Sequence, residues 1–141
     1  MENVNLKLKG IRADELSFKL NGVRPGSGKV EMAPSFSRRV RRAAENEKAF
    51  FVTLSVKIES TAEKPKPIDL SVTMTGVFEA DTSDESSVRS AVVGATSVLY
   101  PYLRSAVTSL STTAMTAPIV LPVVSGVLFP EDAEPQDEKI S

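Results

Sequence analysis

The stretch FFVTLSVKIES, residues 50–60, decides the fold. Phe50, Val52, Leu54, Val56 and Ile58 fall on one side of an extended chain, and Phe51, Thr53, Ser55, Lys57 and Glu59 on the other. Strict alternation of this kind marks a strand buried on one face. After TAEKPKP the same period returns, with Ile68, Leu70, Val72, Met74 and Phe78 set against Asp69, Ser71, Thr73 and Thr75. Two such strands joined by a short polar link are expected to pair antiparallel. Upstream, Val4, Leu6 and Leu8 alternate with polar residues, and Leu16, Phe18 and Leu20 do so again, which predicts one strand with a bend or bulge near Gly10. NGVRPGSG ends it. Its glycines, Gly22, Gly26 and Gly28 before Lys29, lack the spacing and the following Ser or Thr of a phosphate loop, so the segment reads as a surface turn. Val30 and Met32 open a further strand, interrupted at Pro34, where the lost backbone donor favours an edge or a bulge.

Downstream the period changes. Thr82 with Glu85 three residues later forms a capping-box pattern, and Val88, Ala91, Val92, Ala95, Leu99, Tyr102, Leu103, Ala106, Val107 and Leu110 then recur at spacings of three and four. A long helix with one apolar stripe is predicted. Pro101 lies inside it and costs an isolated helix about 3 kcal/mol or more. Strands followed by one helix give an α+β protein, in which a helix covers one face of a largely antiparallel sheet.

Composition narrows the chemistry. The 141 residues suit one domain, with 41% hydrophobic and 25% charged residues and a formal net charge of −1, which gives no overall pull toward nucleic acid. There is no cysteine and no histidine, so disulfides, thiol nucleophiles and the commonest general base are absent. No catalytic constellation and no metal-ligand cluster stands out, and neither a signal peptide nor a membrane span is expected. A cytoplasmic, non-enzymatic protein without cofactor is the expectation.

Three segments carry alternatives. SFSRRVRRAAENEK, residues 35–48, groups Arg38, Arg39, Arg41 and Arg42; it reads either as an anion or nucleic-acid patch or, better, as charge on a solvated loop or edge strand. Tyr100 and Tyr102 cannot face the same way on a helix, so one packs inward while the other meets solvent or a second subunit. TAPIVLPVVSGVLF, residues 116–129, holds Pro118 and Pro122, which exclude a regular helix and a central strand, yet its aliphatic side chains need cover. It is either packed along its own domain or one wall of an apolar groove for another chain. Residues 130–141 read as a disordered acidic tail behind a domain of residues 1–129.

The order ELSFKLNG, FFVTLSVKIES, DLSVTMTGVFEAD, GATSVLYPYLRSAVTSLSTTAM and APIVLPVV resembles the protein-export chaperone family SecB. The glycine-hydrophobic-phenylalanine step at Gly76, Val77 and Phe78 resembles the end of that family's third strand. Leu99, Pro101, Tyr102 and Arg104 match a run in its main helix, and a leucine-proline segment follows. The resemblance implies a four-stranded antiparallel sheet with one long helix, assembled as a dimer of dimers through Leu99, Tyr100, Tyr102 and Leu103. It implies an ATP-independent holdase whose groove for unfolded polypeptides is lined by Phe36, Phe50, Phe78, Ile119, Val120, Leu121, Val123 and Val124. The family's second helix has too little sequence to form in full, since Gly126 and Pro130 interrupt it. In relatives, carboxylates on the outer sheet face bind a SecA-type motor; Glu15 keeps an acid, whereas Lys19 and Ser71 do not. Export clients and an antitoxin are therefore both candidate partners. The alternative is a dedicated adaptor or structural oligomer that grips one protein through the same apolar strip.

Overall fold

The computed structural model describes residues 6–22, 32–46, 48–80, 85–122 and 128–132. Four strands precede one helix: β1 (Leu6–Leu20), β2 (Ser35–Arg42), β3 (Ala49–Ile58), β4 (Ile68–Ala80) and α1 (Glu85–Thr113), followed by a 3-10 turn at Pro130–Asp132. The sheet is antiparallel in the order β1-β4-β3-β2, the α+β architecture that the residue patterns predict. In the β3–β4 pair Phe50 faces Phe78, Leu54 faces Met74 and Ile58 faces Leu70. The alternation works as read: Val52, Leu54, Val56 and Ile58 are sealed on one side. On the other side, hydroxyls pair across the strands, Thr53 with Thr75 and Ser55 with Thr73, both at 2.9 Å.

β1 contains two register shifts, between Leu8 and Gly10 and between Ala13 and Glu15. Each extra residue flips the alternation, because side chains change face at every step of a strand. Leu6 and Leu8, then Ile11 and Ala13, then Leu16, Phe18 and Leu20 all reach the helix-facing side despite their changing parity. The bulge expected near Gly10 is the first of these, and the second lies at Asp14. β2 begins only after Pro34, so Met32 is not in a strand, and Ala33 before the proline takes a left-handed φ of 46°. Val30, the glycine-rich turn, the capping Thr82 and the residues beyond Asp132 lie outside the described residues. β2 pairs with β3 alone, so the arginine-rich segment is an edge strand.

Helix α1 lies across the apolar side of the sheet with Ala91, Ala95, Leu99, Leu103 and Val107 buried at four-residue intervals. It runs unbroken through Pro101. The ring and the residue whose carbonyl it leaves unpaired, Ser97, are both exposed, so water can take the lost bond. Burial of Leu99 and Leu103, roughly 1.5–3 kcal/mol each, offsets the proline. Beneath Leu99, Gly76 sits under the Phe78 ring: a Cβ there would lie 2.6 Å from Phe78 Cε1. Glycine at 76 is therefore what lets Phe78 fold flat into the core, where it stacks on Phe50 at 5.7 Å.

The helix ends in a Schellman motif. Met115 N–H donates to the Thr112 carbonyl at 3.0 Å and Thr116 N–H to the Ser111 carbonyl at 3.1 Å, with Met115 itself at φ 62°. This turn sends the chain back along the helix it has just left.

Three outcomes test this packing. Gly76→Ala is expected to lower stability by about 1–3 kcal/mol through overpacking, whereas Gly10→Ala, with nothing within 4 Å of the new methyl, should be neutral or gain up to about 1 kcal/mol. Met115→Gly should gain roughly 0.5–1 kcal/mol by relieving the left-handed residue. Urea unfolding of the variants measures all three.

Candidate functional site

The returning chain, residues 116–122, is neither helix nor strand, and its backbone partners come from helix side chains. Tyr100 Oη donates to the Pro122 carbonyl at 2.6 Å, Arg104 Nε to that of Leu121 at 2.7 Å, and Thr108 Oγ1 to that of Ile119 at 2.8 Å. Ser111 Oγ accepts from the Ile119 N–H at 2.9 Å and itself donates to the Thr108 carbonyl at 2.8 Å. Residues 100, 104, 108 and 111 form one flank of α1, since three- and four-residue steps stay on the same side of a helix. The proline-punctuated arm thus keeps its polar groups paired without belonging to a sheet. Burial pushes the Tyr100 hydroxyl up from its ordinary pKa, with Arg104 pulling weakly the other way, so it stays a donor. Leu121 is buried, Ile119 is half-buried, and Pro118, Val120 and Pro122 face outward.

A second anchor holds the chain further on. Alternation along β2 turns Arg38 toward the helix side, where its guanidinium meets Asp132 at 2.5 and 2.8 Å and Thr96 Oγ1 at 3.0 Å. The same group lies 4.6 Å above the Phe129 ring, and Arg89 donates to the Glu131 carbonyl at 2.9 Å. The hydrogen bonds to Asp132 push the Arg38 pKa further up, against the opposing effect of burial. Residues 128–132 are consequently pinned across β2 and α1. The acidic tail expected from Pro130 onward gives its first three residues to this turn, and no second helix is found among the described residues.

The residues singled out from the sequence separate into two groups. Phe78 and Leu121 are sealed, and Phe50 is nearly so, which makes them supports of a surface and not the surface itself. Leu99 and Leu103, expected at an oligomer interface, are fully buried inside their own chain because the helix stripe that carries them faces the sheet. Tyr100 is buried too, edge-on to Phe36 with centroids 6.0 Å apart. Tyr102, on the opposite flank, is 46% exposed. Val120 is 59% exposed, whereas Val123 and Val124 lie outside the described residues. Glu15 is exposed on the outer sheet face and accepts a hydrogen bond from Ser71 at 2.8 Å.

Sequence reasoning missed several exposed apolar side chains. Met115 is 94% exposed, because the helix cap places it at the tip of the turn. Leu16 and Leu20 are 52% and 57% exposed on the helix-facing side of β1, where α1 does not cover them. Their alternation with charged residues is plain in the sequence, but alternation alone cannot say which part of a face the helix reaches. Among the described residues no helix is long and apolar enough to cross a membrane, and no three acidic side chains converge as a metal-ligand set.

Comparison with known proteins agrees with this geometry. The family model for preprotein translocase subunit SecB matches residues 2–132. An uncharacterized protein of Methanocaldococcus jannaschii, MJ0357, is 27% identical over 124 residues, covering 85% of this chain and 79% of that protein. Among solved structures, the Mycobacterium tuberculosis Rv1957 SecB-like chaperone, in complex with a ChAD peptide from the Rv1956 HigA1 antitoxin, superposes with a TM-score of 0.70 at 17% identity, covering 85% of this chain and 91% of that one. A Streptococcus agalactiae protein of unknown function superposes with a TM-score of 0.56 at 9% identity, covering 86% of this chain and all of that one. At those identities the two structures speak for the fold alone. The sheet, the proline-bearing helix and the returning arm, together with a family match over nearly the whole chain, make this protein a member of the SecB family.

Proposed function

We propose that the protein is an ATP-independent holdase that grips unfolded polypeptide segments along the returning arm. The single observation that carries this reading is the arm's construction. It is fastened by its backbone to helix side chains while Val120 and Met115 stay turned to solvent. Val120 on the arm and Met115 at the turn that leads into it are thus placed to meet another chain. Ile119 and Phe36 stand half-buried and available as rims, and Val123 and Val124 extend the strip in sequence. Membership of the SecB family supports a chaperone role, and the mycobacterial relative is a SecB-like chaperone held with an antitoxin peptide. Clients in this reading are extended apolar segments, whether of exported proteins or of an antitoxin. Tyr102, with Val98 beside it on the free flank of α1, forms the contact with a second copy in a dimer of dimers. The competing reading is an adaptor for one folded partner, and a panel of unrelated unfolded clients separates the two.

The purified protein is expected to suppress aggregation of a chemically unfolded client at near-stoichiometric ratios with no nucleotide present. Light scattering that rises unchanged at several-fold excess of protein, for every client tried, would overturn the holdase. Each apolar anchor buried on a client is worth roughly 1.5–3 kcal/mol, so Val120→Glu with Met115→Glu should weaken capture more than about tenfold. Because both side chains are exposed, the same variant should unfold within about 0.5 kcal/mol of the parent. Tyr102→Glu should lower the mass seen by multi-angle light scattering and leave the far-ultraviolet circular dichroism unchanged.

A further inference from the structure

The arginine cluster is not one patch. Alternation along β2 splits it, sending Arg38 inward to Asp132 and placing Arg39 and Arg41 on the outer sheet face, opposite Thr53 and Phe51. There they form one wall of a trough of about 500 Å³ floored by Thr53, Thr73 and Thr75. The other wall is β1, which contributes Arg12 and Asp14. The depression continues along the strands past Ser55 and Lys57 to Glu15.

Charge in the trough is unevenly spent. Arg12 Nε donates to Asp14 at 2.7 Å, and the Thr75 hydroxyl donates to the other oxygen of the same carboxylate. These two bonds, that from Thr75 first, hold the Asp14 carboxyl below its usual pKa, with the charges of Arg12 and Arg39 adding to the shift. Arg41 lies over the Phe51 ring at 4.7 Å, and neither Arg39 nor Arg41 has an ion-pair partner among the described residues. Two guanidinium groups without a direct ion pair among the described residues, Arg39 feeling the Asp14 charge across the trough, therefore stand two residues apart on one face of a strand, their backbones about 7 Å apart along the chain. Below them, the Ser55–Thr73 pair uses one of its two hydroxyl protons internally and leaves the other free.

We propose that this outer face docks an acidic, extended segment of a partner protein. Carboxylates at alternate positions of such a segment match the spacing of Arg39 and Arg41, and its backbone amides meet the hydroxyl floor. The same surface disfavours nucleic acid. Asp14 and Glu15 on the far wall repel a continuous polyanion, and Arg41 covers the one aromatic ring that could stack a base. The site lies on the opposite side of the sheet from the arm, so it is independent of client capture.

The test uses the full chain and a fluorescein-labelled octapeptide that alternates Glu and Ser, titrated by fluorescence anisotropy at low salt and at about 0.15 M. Saturable binding is expected, weakening as salt rises and falling more than about tenfold in Arg39→Glu with Arg41→Glu, where like charges face each other. Arg39→Gln with Arg41→Gln should fall less, and Val120→Glu should bind as the parent does. Circular dichroism confirms that the variants fold. Four results overturn the proposal: no binding at low salt, equal binding by the charge-reversed variant, tighter binding of a single-stranded oligothymidine than of the peptide, or a drop in oligomer mass on charge reversal, which would assign the face to a second copy.

Discussion

One helix covers one side of a four-stranded sheet, and the rest of the molecule follows from how far that cover extends. Leu99 and Leu103 press on a layer that contains Leu54, Val56, Val72 and Phe78, all sealed. This contact tolerates a proline in the middle of α1 because the apolar stripe that buries Leu99 and Leu103 lies away from the side where Pro101 is exposed. It also demands a glycine at 76, since any larger residue would push on the Phe78 ring. Where the helix stops covering, at Leu16 and Leu20 of β1 and along its own flanks, apolar side chains meet water.

The arm solves a different problem. An extended segment with two prolines cannot join a sheet as a central strand, yet its carbonyls need donors. Tyr100, Arg104 and Thr108 supply those donors and Ser111 supplies the matching acceptor, four bonds from one helix flank. A net contribution of about 0.5–1.5 kcal/mol per bond makes the attachment comparable with the burial of one or two apolar side chains. The arm is therefore held firmly enough to present Val120 and not so firmly that it must be sealed to stay in place. The Arg38–Asp132 pair does the corresponding work further along, where Phe129 packs under the guanidinium.

Much of the fold was legible because its signals are periodic. The β3 and β4 faces, the helix stripe and the opposed Tyr100 and Tyr102 all follow from side-chain direction in strands and helices. Misread features share a cause: they depend on what touches what across the sheet. Phe50 and Phe78 look like groove residues until the β3–β4 register stacks them under α1. Leu99 and Leu103 look like an interface until the sheet occupies their side of the helix. The second bulge at Asp14 leaves only a parity change in a short apolar pattern, which is visible once β4 fixes the register and not before. Val120 was legible as apolar, but its exposure depends on the hydrogen bonds that turn its neighbours inward.

β2 connects the two sides of the molecule. As an edge strand with a run of arginines it would resist pairing with other sheets, which is one ordinary reason for charge at an edge. That reason does not distinguish the two faces, and the structure does. Arg38 is spent inside, on a carboxylate from a part of the chain 94 residues away. Arg39, the next residue, points the other way into a trough whose nearest acid is already bound by Arg12 and Thr75. Charge placed only to discourage pairing has no need of a hydroxyl floor or of a neighbouring acid already held by two donors. Both features lower the cost of bringing a carboxylate to that spot, since the floor replaces lost water and the engaged Asp14 repels less than a free one. A single strand can in this way fasten its own C-terminal segment on one face while leaving unpaired positive charge on the other.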